Sequence, residues 1–372
     1  MQFIGIDIHT NRFTCCYLFK DTKEKKMATY ELDDAGLAQF YKTLDAETYV
    51  LLEATINTFS FVDLWKDKVK EALVANTYQL KSVGVASKKT DKIDAAKLAE
   101  KLKAEVLSGV QQIVPVTVAP KQIRDLRALF STYRLLRKEI GQTKNRVHSL
   151  LKENLFPFTK EYIFGKRSRQ RIRSISSDPV LNFQINLLMD TLEHLETQVE
   201  EVMDRIKVRA EPFMREIEIL TSMSGVSVMS AIAIIADVID VSRFKNAKHF
   251  ASYLSSAPRV ESSNNTTVIK STNKAGRKVS ITMLSQSLNH FRDSNRALNA
   301  WYEKASVFKK KGVVRMALCR KVITQLFQML KKGEYHHFRN PVLHEKKMRE
   351  YRAFLKKHQN GENISDILQK TA

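Results

Sequence analysis

Cysteine is nearly missing from this chain: three residues in 372, Cys15, Cys16 and Cys319, two of them adjacent. No disulfide framework and no zinc-type spacing can be assembled from that set, so a reducing cytoplasm is the expected compartment. No stretch is apolar enough to cross a membrane, because the longest, Val226 to Val241, is broken by Ser227, Ser230, Asp237 and Asp240. The first residues form a strand-like run without the basic, apolar, small-residue order of a processed leader. Low-complexity tracts are absent too, and with 43% hydrophobic and 9% aromatic residues most of the chain is expected to fold. Acidic residues are in deficit: 40 Asp and Glu stand against 62 Lys and Arg, a formal net charge of +22. A field of that sign attracts polyanions, and nucleic acid is the default partner, with a membrane surface the weaker competitor.

At roughly 100 to 200 residues per domain, the length allows two or three domains. Up to about Val116, strand-like runs alternate with helical periodicity: Phe3 to Ile8, Phe13 to Phe19, Met27 to Leu32, Thr48 to Glu53 and Leu73 to Ala75 read as strands. Asp34 to Leu44 and Phe59 to Lys70 read as helices. This predicts an α/β domain with a mixed sheet over residues 1–118. Pro115 and Pro120 mark its end, and a long helix follows to about Asn154. Phe156 to Asp178, which holds Lys166, Arg167, Arg169, Arg171 and Arg173, reads as a loop or hairpin tip. From Leu181 through Ile185, Leu188, Leu192, Leu195, Val199 and Val202 to Ile206, apolar residues step by four and three, a coiled-coil seam. Residues 119–210 are therefore expected to form a helical arm, closed either within the chain or by dimerisation. Residues 211–335 form a helical C-terminal domain with a polar interruption from Pro258 to Lys278, and residues 336–372 a basic tail, mobile or ordered by nucleic acid.

Four acids carry the chemistry. Asp7 lies in an apolar strand and Glu53 ends another, and a carboxylate there is costly without a partner. Asp91 and Asp94, three residues apart, share one helix face, where they equally suit a helix N-terminus through the dipole. Carboxylates from separate segments that meet on a sheet edge repel unless cations neutralise them, and hard oxygens suit Mg2+, with Mn2+ as substitute. Two such ions stabilise the attacking and leaving oxygens of phosphodiester cleavage. The turn around Gly225 either offers backbone N–H groups to a phosphate or is a plain helix–helix corner. The polar segment with Arg259, Ser262 and Ser263, followed by Lys270, Lys274, Arg277 and Lys278, is on composition a solvated loop. A serine there acts as nucleophile only if a base or metal activates it and cations hold the phosphate.

Gly5-Ile6-Asp7, Leu52-Glu53-Ala54 and Lys89-Thr90-Asp91-Lys92-Ile93-Asp94-Ala95, followed by Ser224-Gly225-Val226, Ser242-Arg243-Phe244 and Ala257-Pro258-Arg259, resemble the DEDD transposases of the insertion-sequence family numbered one-ten, including its eleven-eleven subgroup. The resemblance spans residues 1 to about 290. It implies a RuvC-like ribonuclease-H fold with the metal-binding tetrad Asp7, Glu53, Asp91 and Asp94. It also implies a C-terminal domain whose nucleophilic serine, Ser263 or in the neighbouring register Ser262, forms a phosphoserine link to DNA. Asn264 follows where the family usually has glycine, and Ser227 stands where the family turn often has one. The implied activity is RNA-guided DNA recombination by a homo-oligomer, dimer or tetramer, in the cytoplasm of a bacterial or archaeal cell near the nucleoid. The partners would be donor and target DNA and a structured guide RNA from the element, with no membrane. Two other readings stand beside it: a metal-dependent junction nuclease that hydrolyses with water, and a non-catalytic nucleic-acid-binding protein. The four acids disfavour the last.

Overall fold

A computed structural model describes residues 1–76, 90–156, 163–263, 266–272 and 276–361. The chain divides into two units, Met1–Pro120 and Lys121–Ala372.

The first unit is built on a five-stranded sheet. Strands β1 (Gln2–Ile8), β2 (Arg12–Phe19) and β3 (Lys25–Glu31) are antiparallel neighbours, while β4 (Thr48–Glu53) and β5 (Glu71–Ala75) continue parallel from β1, in the order β3-β2-β1-β4-β5. This mixed sheet with helices is the α/β pattern read from the sequence and is compatible with a ribonuclease-H-like domain. The two-residue period of a strand sorts side chains between two cores. Ile4, Ile6, Phe13, Cys15, Val50 and Leu52 face one side, with Phe40, Phe61 and Trp65, in a cluster that includes helices α1 (Asp34–Tyr41) and α2 (Thr58–Asp63). Phe3, Cys16 and Leu51 face the other, with Ala95, Leu98, Ala99 and Leu102 of helix α3 (Asp91–Ser108). The adjacent Cys15 and Cys16 thus lie in opposite cores, both buried and unpaired by disulfide. The helix expected over Phe59 to Lys70 is instead α2 and a single 3-10 turn, Lys66–Lys68. Between them Trp65 turns into the core, edge-on to Phe40 and Phe61, and burying that ring outweighs one more turn of helix.

In the second unit, α4 (Lys121–Glu153) and α6 (Pro179–Arg209) lie antiparallel, their seam built from Ile140, Val147 and Leu151 against Leu181, Ile185, Met189, Leu192, Leu195 and Val199. At the open end Arg209 pairs with Asp125. The seam therefore closes within the chain. At its closed end the expected loop contains a helix, α5 (Lys166–Arg173), because Ile172 is buried in the seam cluster while Arg169 and Arg173 reach carboxylates on α6. Beyond the arm, α7 (Met214–Thr221) leads through a glycine turn to α8 (Val228–Val238), whose residues from Ser230 onward are all buried. Then come α9 (Ala247–Tyr253), strands β6 (Pro258–Ser263) and β7 (Thr266–Thr272), and helices α10 (Val279–Gln286), α11 (Leu288–Ser294), α12 (Arg296–Phe308), α13 (Lys311–Lys332) and α14 (Pro341–Gly361). Two expectations need correcting. The polar interruption is an antiparallel β-hairpin, in which Ser262 pairs with Thr267 and Ser263 with Thr266. The basic tail is in large part a helix that packs on α6 and α7: Tyr351 donates to the Lys207 carbonyl (2.8 Å), His344 Nε2 meets that of Glu218 (2.9 Å), and Met348, Tyr351 and Leu355 are buried. Among the described residues no helix is long and apolar enough to cross a membrane.

Candidate metal centre and nucleic-acid surfaces

Three features of the first unit bring acids together. Ile6 pairs with Leu52, so the next residues along these parallel strands are Asp7 and Glu53, and the two-residue period places both on the face that carries α3. Thr90 caps α3 by accepting from the Ile93 N–H (3.3 Å), which starts the helix at Asp91 and puts Asp91 and Asp94 in its first turn. Gly5 lets that helix lie on β1: a Cβ there would meet the Ala95 carbonyl oxygen at 2.1 Å and the Ala99 nitrogen at 2.3 Å.

The result is a tight triangle of Asp7, His9 and Asp91, whose ligand atoms lie within 4.8 Å of one another. His9 Nε2 is 3.3 Å from Asp7 Oδ2 and 3.3 Å from Asp91 Oδ1, and the other oxygen of Asp91 accepts from Arg12 Nη2 (3.4 Å). Burial holds the Asp7 carboxyl above its ordinary value; His9 opposes this, and the negative charges of Asp91 and Asp94 add to it. Asp94, half-buried one helical turn along, is therefore within electrostatic reach. Glu53, also half-buried, closes β4 on the same face but is not a member of the triangle. This donor set suits a hard divalent cation: two partly exposed carboxylates from separate elements, one raised in pKa beside like charges, gain when a cation joins them.

His9 and Arg12 were not singled out in the sequence. The signal for His9 was present, since a residue two positions beyond Asp7 along an extended chain returns to the same face. Arg12 comes beside Asp91 only through the β1–β2 turn, where the His9 N–H donates to the Arg12 carbonyl (2.9 Å).

The second unit holds the candidate nucleic-acid residues. Gly225 has φ +95°, and a Cβ would lie 2.7 Å from the Phe291 ring, so only glycine suits this turn. Ser227, where a glycine was the family expectation, caps α8 by accepting from the Ser230 N–H (3.1 Å). Lys347 of α14 donates to the Val226 carbonyl at 2.8 Å and holds the turn from below. Of the basic cluster, Arg169 binds Glu196 and Arg173 binds Asp190 and Glu193, so these two cations fasten α5 to the arm, while Arg167 and Arg171 are exposed. Arg277 and Lys278 are exposed ahead of α10, and Lys304, Lys309, Lys310 and Lys311 are exposed where α12 passes into α13. Arg259 and Lys270 belong to β6 and β7. Lys274 lies outside the described residues, as do Lys88, Lys89 and Asn264. A buried polar knot was also missed: Asp237 accepts from the Ser280 N–H (3.0 Å) and hydroxyl (2.8 Å), and Arg127 donates to the Ala236 and Asp237 carbonyls.

Two family models match this chain: DEDD_Tnp_IS110, described as a transposase, over residues 4–157, and one described as Transposase IS116/IS110/IS902 family over residues 217–301. The chain belongs to the IS110 family of transposases. The first match contains all four acids and the second contains Gly225 and both serines. Family membership marks an enzyme acting on DNA. Among its relatives are the proteins named "Pilin gene-inverting protein" of Moraxella bovis and of Moraxella lacunata, each 24% identical over 272 residues that cover 69% of this chain and 72% of the relative.

Proposed function

We propose that this family member cuts and rejoins DNA, with Asp7, Glu53, Asp91 and Asp94 as the metal-holding tetrad and Ser263 as the nucleophile, Ser262 being the neighbouring register. The observation that carries the metal half is the convergence of Asp7 and Asp91, from a strand and a helix start, with Asp94 one helical turn away and Glu53 on the same face. A bound Mg2+ or Mn2+ would neutralise charge at the scissile phosphate and lower the proton affinity of an attacking oxygen. The chain's own groups do the rest. The carboxylates fix the cation, Arg12 orients Asp91, and the exposed Arg277 and Lys278 draw in the phosphate backbone.

The serine hydroxyl attacks phosphorus, a P–O bond of the DNA breaks, its oxygen leaves as a hydroxyl carrying a proton, and DNA remains on the serine as a phosphodiester. Attack by a second DNA hydroxyl reverses these steps and frees the serine, so bond energy is kept for rejoining. The name of the Moraxella relatives, proteins that invert a gene segment, supports recombination over simple hydrolysis. The charge of +22 supports a structured guide RNA from the element as a further polyanionic partner, and a homo-oligomer is expected to hold both DNA duplexes.

The test is to trap the reaction on a nicked DNA substrate in Mg2+, with the co-purified RNA present, and to map the adduct by mass spectrometry. DNA on Ser263 is expected. DNA on Ser262 corrects the register, and cleavage with no protein adduct overturns the serine mechanism in favour of a water-using nuclease.

A further inference from the structure

We infer that His9 is a metal ligand, so that the cation is held by an imidazole nitrogen as well as by carboxylates. The inference rests on the metal-binding reading above. The main chain that carries the ring is held at both its N–H and its carbonyl. His9 directly follows β1; its N–H donates to the Arg12 carbonyl across the β1–β2 turn, and its carbonyl accepts from Asn57 Nδ2 (3.0 Å), at the start of α2. Both strands that carry tetrad residues are thereby tied to the histidine, since β4 ends at Glu53, four residues before Asn57.

The spacing matches a coordination shell. Ligands about 2.1 Å from a six-coordinate ion stand roughly 3 Å apart at adjacent positions, and Nε2 is 3.3 Å from one oxygen of each aspartate. Arg12 occupies the opposite oxygen of Asp91, leaving Oδ1 turned toward His9. The imidazole is half-exposed (49%), which leaves room on its side for water or a phosphate oxygen in the remaining positions. A nitrogen donor changes the preference of the site. Carboxylate and water suit Mg2+, whereas imidazole raises affinity along the transition-metal series, so His9 tilts this centre toward Mn2+.

Pulsed electron paramagnetic resonance on the full-length protein, freed of nucleic acid and loaded with Mn2+, tests the inference without any activity assay. The wild type is expected to show a 14N hyperfine coupling on the bound Mn2+. In His9→Gln that coupling disappears while Mn2+ stays bound, and the ratio of Mn2+ to Mg2+ affinity falls. Bound Mn2+ without 14N coupling in the wild type, or a coupling that persists in His9→Gln, overturns the ligand role of His9 and leaves the carboxylate site standing. Failure of the wild type to bind Mn2+ overturns the carboxylate reading, and His9 with it; Asp91→Asn, which removes a ligand common to both, is expected to abolish binding.

Discussion

Gly5→Ala is a single methyl group placed where β1 and α3 touch, and it separates packing from chemistry. The added Cβ would meet the Ala95 oxygen at 2.1 Å and the Ala99 nitrogen at 2.3 Å, both backbone atoms that cannot swing aside. Heavy atoms come to rest at about 3.5 Å, so α3 must retreat by roughly 1 Å or more. Overpacking of this kind costs about 1–3 kcal/mol. The helix that retreats is the one that begins at Asp91, so Asp91 and Asp94 move away from Asp7 by a similar distance. Misplacement of a reacting geometry by about 1 Å costs on the order of a hundredfold in rate.

The control is Gly109→Ala. It sits at the other end of α3 with φ +69° and nothing within 4 Å of the new Cβ. Strain in that left-handed conformation costs about 1–2 kcal/mol without shifting the helix start. Denaturant unfolding measures both losses, and calorimetric Mn2+ titration with single-turnover DNA cleavage measures the site. Gly5→Ala is expected to lose stability, metal affinity and cleavage together, and Gly109→Ala stability alone. A Gly5→Ala protein that keeps wild-type Mn2+ affinity and rate would refute the claim that the close approach of α3 to β1 builds the site.

Other predictions concern the second unit. Burial holds the His344 imidazole below its ordinary value of 6.5; its bond to the Glu218 carbonyl opposes this, and the charges on Arg339 and Lys347 add to it. The folded state therefore binds fewer protons than the unfolded chain, so His344 contributes stability that is complete above pH 6.5 and is lost as pH falls through the depressed folded value. Protection factors of the α14 amides, which are corrected for the slower intrinsic exchange at low pH, should fall from about pH 7.5 to about pH 5.5, and His344→Gln should flatten the dependence; an unchanged profile in that variant would exclude His344. Asp237→Ala strands the buried Ser280 N–H and hydroxyl and is expected to cost about 1–3 kcal/mol in chemical denaturation; no loss would show the knot to be dispensable. Replacing Lys304, Lys309, Lys310 and Lys311 by Gln should lower the slope of log affinity for nucleic acid against log salt by roughly 0.7–0.9 for each lysine seated on a phosphate. An unchanged slope would remove that surface from the interface.

Much of the first unit was legible because strand alternation and helix starts are local properties. Thr48 to Glu53 matched β4 residue for residue, and Asp91 opens α3 as its Thr90 cap dictates. The seam along α6 was legible for the same reason, since a heptad is read from one helix; that α4 closes it was not, because the pattern does not name the partner. The hairpin from Pro258 to Thr272 escaped notice, although Val260, Thr266, Thr267, Val268 and Ile269 are the β-branched residues that favour strands. Their polar neighbours masked them. The C-terminal helix was hidden for a different reason: Met348, Tyr351 and Leu355 form a sparse apolar stripe among lysines, arginines and histidines, and composition alone reads as a tail. At the candidate metal centre, Asp7 and Glu53 stood out as costly carboxylates in apolar strands, whereas the contact of Arg12 with Asp91 spans 79 residues and is created by the fold.

Metal-dependent cleavage with single members of the tetrad removed tests the central claim most directly. The protein, together with whatever nucleic acid co-purifies with it, is to be mixed with duplex DNA, and single-turnover cleavage followed in Mg2+, in Ca2+ and with a chelator. Losing a ligand that holds the ion forfeits several kcal/mol of charge stabilisation, at about 1.4 kcal/mol for each tenfold in rate. Asp7→Ala, Glu53→Ala, Asp91→Ala and Asp94→Ala are each expected to slow cleavage by on the order of a thousandfold while the fold persists, with Ca2+ and chelation suppressing the wild type. Wild-type rates in two or more of these variants, or cleavage that survives chelation, would contradict a carboxylate metal centre.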